Sequence, residues 1–128
     1  MSFKHPRTIF IIDDDQTITS SLRDFLLERG DHQIHCFETG EQALHELHRN
    51  PEVIVLAYHL NKHIVDAMNG MQTMDEFRKK QSNIHFIMWS GQESYGVALQ
   101  TITHGAEHYF LKDEDAFENI ATVIENLN

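Results

Sequence analysis

The chain has 128 residues, 41% hydrophobic, and its 20 acidic against 10 basic side chains give a formal charge of −10. That balance argues against nucleic-acid binding, which needs Lys and Arg at phosphates, and against an anionic membrane surface. No apolar run reaches the roughly 20 residues of a spanning helix. Cys36 is the only cysteine, which rules out an internal disulfide and suits a reducing compartment. Met1-Ser2-Phe3-Lys4-His5-Pro6 lacks the apolar stretch of a secretory signal, so a cytoplasmic location is expected.

Thr8 to Ile12 is a continuous β-branched and aromatic run, as for a strand buried on both faces. From Thr17 to Arg29 the positions Ile18, Leu22, Phe25 and Leu26 step by three or four, the period of a helix, and Gly30 ends it. Gln33 to Phe37 reads as a short strand. Thr39 caps a helix expected over Gly40 to Arg49, and Asn50-Pro51 breaks it. Val53 to Leu56 is a third strand, followed by a long mixed connection over Tyr58 to Asn69. Gly70 to Lys80 is a helix through Met71, Met74 and Phe77, and Ile84 to Trp89 a strand. Glu93 to His104 is a helix ended by Gly105, Glu107 to Leu111 a strand, and Glu114 to Leu127 a last helix. Strands and helices in strict alternation give a parallel sheet with right-handed crossovers and both faces covered. The expected fold is a three-layer α/β domain of (βα)5 flavodoxin-like type, strand order 2-1-3-4-5. No linker or repeat interrupts it, so residues 1–128 read as one domain.

In such sheets ligands bind beyond the carboxyl ends of the strands. There the first run is followed by Asp13, Asp14 and Asp15, the third by Ala57, Tyr58 and His59, the fourth by Ser90 and Gly91, and the fifth by Lys112. Each alone is an ordinary cap, turn or surface residue. Together they form a site for a hard cation and a phosphoryl group. Mg²⁺ takes one or two carboxylates with water and phosphate oxygens, and lysine brings a point charge to the same oxygens.

With these residues in place, the chain resembles a response-regulator receiver domain of bacterial two-component signalling from Arg7 to Leu127. The resemblance rests on Asp13-Asp14, the strand from Val53 to Leu60, Asn69-Gly70, Met88-Trp89-Ser90-Gly91, and Gly105-Ala106 running to Tyr109-Phe110-Leu111-Lys112. It implies a signalling module, not an enzyme, with no effector domain in residues 1–128. It also implies a phosphoryl group received from a histidine kinase or phosphotransfer protein. The acidic pair Asp13 and Asp14, with the backbone carbonyl of His59, is then the Mg²⁺ site. Ser90 and Lys112 contact the phosphoryl oxygens. Ser90 and Tyr109 form the switch. The last strand and last helices meet a downstream partner or a second copy.

The departures matter more than the match. The position that lines up with the family's phosphoacceptor aspartate is Ala57. A methyl group has no nucleophilic oxygen, so no phosphorylation is expected there, and any Mg²⁺ binding is weakened by the missing ligand. Both a natural degenerate receiver and an engineered substitution fit that residue. Lys112 precedes Asp113 where the family usually has proline, so no cis peptide is expected. The connection over 58–69 is longer than usual and reads as a surface excursion.

The alternative reading is a haloacid-dehalogenase-like phosphohydrolase using Asp13 and Asp15, with Ser90 and Lys112 in support. The pairs His45/His48 and His59/His63 read as surface polar residues, because no Cys or Glu completes a ligand set. Met68, Met71, Met74 and Met88 read as core filler.

Overall fold

A computed structural model describes residues 6–60, 64–91 and 95–127. The leader reading over Met1 to His5, the residue His63 and the expected helix start at Glu93 lie outside the described residues.

The elements are β1 (Thr8–Ile12), α1 (Gln16–Leu27), β2 (Gln33–Phe37), α2 (Gly40–Leu44), a 3₁₀ turn (Leu47–Arg49), β3 (Val53–Ala57), α3 (Gly70–Lys80), β4 (His85–Ser90), α4 (Tyr95–Thr103), β5 (His108–Leu111) and α5 (Ala116–Asn126). The strands form one parallel sheet in the order β2-β1-β3-β4-β5. β1 and β3 lie inside the sheet, and every residue from Ile9 to Ile12 and from Val53 to Leu56 is fully buried. That is why both runs are continuously apolar. The two helical layers divide the aromatic side chains: Phe77 of α3 packs on Phe86, and Phe117 of α5 packs on Trp89.

Asp15 opens α1 by accepting hydrogen bonds from the Thr17 and Ile18 amides. At α3, Asn69 and Gln72 form a reciprocal capping box. The helix expected from Gly40 to Arg49 is shorter than its apolar spacing suggests. It ends at Leu44, and Glu46, Arg49 and Asn50 donate to carbonyls three residues back. Tight turns and the left-handed Asn50, with φ of 56°, let the chain reverse into Pro51 and β3; an α-helix running to Pro51 would clash with its ring. His45 and His48 therefore share no helix face. α1 also ends before Gly30, at Leu27, so that glycine is not a left-handed cap. Gly105 is one, with φ of 112°, and its carbonyl accepts from the Arg78 guanidinium at 2.6 Å.

Candidate functional site

The carboxyl ends of β1, β3, β4 and β5 converge on one rim. Asp13 follows β1, and its amide donates to the Phe37 carbonyl, which anchors it beside β2. Its Oδ1 accepts from the Asp15 amide at 3.0 Å, and its Oδ2 lies 2.5 Å from the Lys112 ammonium. Asp13 is only 1% exposed. Burial pushes its carboxyl above the usual range, against the opposing pull of Lys112. Asp14 is also buried, and its Oδ2 has no hydrogen-bond partner among the described residues.

Ser90 is buried at the end of β4, and its carbonyl accepts from the Lys112 amide at 2.8 Å. The backbone thus fastens the two phosphoryl-contact candidates side by side. Ala57 closes β3 in register with Trp89. The Trp89 ring lies under the Lys112 ammonium, 5.3 Å from it. Tyr58 donates its amide to the Trp89 carbonyl, and the exposed His59 ring meets Tyr58 edge-on. Tyr109 is half-buried on β5, in register with Met88, and its hydroxyl is removed from solvent. The Lys112–Asp113 peptide is trans.

Gly70 starts α3 against this rim. A Cβ there would stand 2.3 Å from the Ala57 carbonyl oxygen, and the Gly70 amide donates to the Tyr58 carbonyl at 2.7 Å. Only a glycine allows that approach. Asp15, Glu38, Asp66 and Asp113 add to the same edge, where Lys112 is the basic residue of the described part. Arg29, Arg49 and the run Arg78 to Lys80 end helices or turns at the opposite edge.

The structure thus gathers Asp13, Asp14, Ser90 and Lys112, with Ala57 in the adjoining strand, whereas Tyr109 lies further down β5. Sequence reasoning missed Trp89 as a neighbour of Lys112. Alternation within each strand gives only which residues share a face; the contact itself depends on the register between β4 and β5.

A family model described as the response regulator receiver domain matches residues 9–125. The chain belongs to the response regulator receiver domain family. This receiver domain is 26% identical over 114 residues to the nitrate/nitrite response regulator protein NarL of Escherichia coli (strain K12), covering 88% of the chain and 51% of that protein. It is 28% identical over 104 residues to the two-component response regulator ORR27 of Oryza sativa subsp. japonica, covering 81% of the chain and 16% of that protein. The chain thus spans about half the length of the one relative and a small part of the other. Its fold matches the crystal structure of a CheY-like receiver domain protein from Methanospirillum hungatei JF-1 with a TM-score of 0.78 at 20% identity, covering 94% of this chain and 93% of that one.

Receiver domains generally bind Mg²⁺ at their acidic site. Here the buried, unpartnered Asp14 Oδ2 and the adjacent Asp13 fit such a cation, being hard oxygen donors. Among the described residues no group of three or more acidic, His or Cys side chains is placed to hold a metal, so the fit extends to two carboxylates. No comparison supports the phosphohydrolase alternative.

Proposed function

We propose that this receiver signals by protein–protein contact and carries Ala57 at the phosphoacceptor position, so that it is not phosphorylated there. The observation that carries the reading is the Lys112–Asp13 ion pair beside a strand end that has no carboxylate of its own. Lys112 is satisfied by Asp13 and needs no acceptor aspartate or phosphoryl oxygen to balance it. Asp13 and Asp14, with the backbone carbonyl of His59, are the residues that would hold Mg²⁺. Bound there, the ion would neutralise charge on phosphoryl oxygens. Ser90 and Lys112 would face those oxygens, and Ser90 and Tyr109 would relay the state of the rim. With a methyl group at position 57, metal affinity is weak.

The partners in this reading are a histidine kinase or phosphotransfer protein at the rim, and a downstream protein or second copy at the last-strand face. On that face Leu99, Ile102 and Leu111 are exposed, and a cleft of about 340 Å³ opens between α4 and β5 beside Tyr109. No nucleic-acid role is proposed, since a chain of formal charge −10 repels a polyanionic backbone.

The test is mass measurement after treatment with acetyl phosphate and Mg²⁺. The native chain is expected to stay unmodified and Ala57→Asp to gain one phosphoryl group. A covalent phosphoryl group on the native chain, or phosphate released from it at enzyme-like turnover, would overturn the reading and point to Asp13 as nucleophile.

A further inference from the structure

Successive side chains in a strand point to opposite faces of the sheet. The registers Met88↔Tyr109 and Trp89↔Phe110 therefore sort the rim into two sides. Ser90, Met88 and Tyr109 share one face. Trp89 and Phe110 share the other, and Lys112, two residues beyond Phe110, hangs on that second face. The packing agrees: Phe86 meets α3 on the first side, and Trp89 meets α5 on the second.

The Ser90–Tyr109 side already has a part in the proposed function, whereas on the other side only Lys112 itself has one, and the side chains packed beneath it have none. On it the contacts form an unbroken series. The Lys112 ammonium sits between Asp13 and the Trp89 ring, within the roughly 6 Å over which a cation is attracted to an aromatic face. Trp89 packs on Phe117 with ring centres 6.2 Å apart, and Phe117 on Phe25 of α1 at 5.5 Å. The Arg29 guanidinium covers Phe25 at 4.3 Å and is ion-paired with Glu118 of α5. Trp89 is fully buried, and its Nε1–H has no acceptor among the described residues. No hydrogen bond to those residues fixes the indole. Its neighbours fix it, and one of them is the Lys112 ammonium, whose alternative partner is any anion arriving at the rim.

We propose that Trp89 is a positioning residue: its ring holds the Lys112 ammonium against Asp13 and passes a displacement of that ammonium to the α1–α5 seam. The sheet separates this route from the Ser90–Tyr109 face, so the rim is read on both sides of the molecule. The inference rests on packing around Lys112 and not on the role of position 57. Its failure therefore leaves the phosphorylation result unaffected.

The test is Lys112→Met, read by NMR in the native chain and in Trp89→Phe and Trp89→Leu backgrounds. In the native chain the substitution is expected to shift the Trp89 indole signal, the ring signals of Phe117 and Phe25, and the Arg29 side-chain amide. Emission of Trp89, the only tryptophan, should change with them. Trp89→Phe keeps an aromatic face, so the seam shifts persist. In Trp89→Leu they fall to less than half. Equal seam shifts with and without the ring, or shifts confined to Tyr109 and α4, overturn the proposal. If Trp89→Leu does not fold, Trp89→Phe decides it alone: no response at Phe117 there overturns it. Asp113→Asn changes a nearby exposed charge, and a seam response as large as that of Lys112→Met also overturns it.

Discussion

Lys112 and Asp13 form an ion pair of unequal members: the Asp13 side chain is 1% exposed and the Lys112 side chain 19%. Most of the desolvation cost therefore falls on the carboxylate. A buried carboxylate with one cationic partner keeps a net penalty when burial outweighs the pairing, which is the direction in which its ionisation is shifted.

Asp13→Asn is accordingly expected to stabilise the fold. The native carboxyl holds its proton to a higher pH than it does in the unfolded chain, where it ionises near 3.8. Between those two values the folded state binds more protons, so native stability falls as pH rises through the window and then levels off. Asparagine does not titrate. Its advantage should be smallest below the unfolded value and full at neutral pH. Thermal melts across that range should show the variant melting above the native chain, by a margin that widens as pH rises from below the unfolded value toward neutrality.

Ala57→Asp should tighten Mg²⁺ binding by at least about tenfold, because it adds a third carboxylate to the rim. Without metal the variant should melt below the native chain, since a further carboxylate beside Asp13 and Asp14 adds like-charge repulsion. Mg²⁺ at a hundred times its Kd should return about 2.7 kcal/mol. Calorimetric titration and melts with and without Mg²⁺ check both.

Gly70→Ala should lower stability by about 1–3 kcal/mol, the usual cost of forcing atoms into a packed position. The obstruction is the Ala57 backbone, which cannot rotate aside as a side chain can. Gly91 offers the contrast. A Cβ there meets nothing within 4 Å, so Gly91→Ala should stay within about 0.5 kcal/mol of native. Urea midpoints of the two variants give the comparison.

Arg7→Ala should cost about 1.5–3 kcal/mol, the range for hydrogen bonds to charged groups. The buried guanidinium donates to the Leu127 carbonyl and pairs with Glu52, so it joins the end of α5 to the start of β3. Amide exchange at the end of α5 should quicken in this variant before global unfolding does.

Much of the fold was legible because the apolar runs and periods were unambiguous. β1, β2 and α3 run over the residues their patterns mark, while the capping box of Asn69 and Gln72 at the start of α3 came from the structure. The segment after Thr39 was misread because Ala43, Leu44 and Leu47 satisfy both an α-helix and a helix that tightens after one turn. The break came from the need to reverse before Pro51, a tertiary demand. At the rim, the positions of Asp13, Asp14, Ser90 and Lys112 were legible because each lies at the end of a strand or within two residues beyond it. The Trp89–Lys112 contact was not, because it depends on the register between β4 and β5, which no single strand encodes.

The connection over 58–69 is pinched shut at its base. Gly70 and Tyr58 are hydrogen-bonded across the neck, Leu60 and Ala67 are buried on either side of it, and the Met68 amide is held by the Glu41 carboxylate. The clasp ties the end of β3 to the start of α3 through groups that lie outside the stretch between Leu60 and Ala67. Residues inserted in that stretch are therefore expected to leave Ala57 and the first turn of α3 in place, since closing a longer surface loop adds only about 0.6 kcal/mol per doubling of its length.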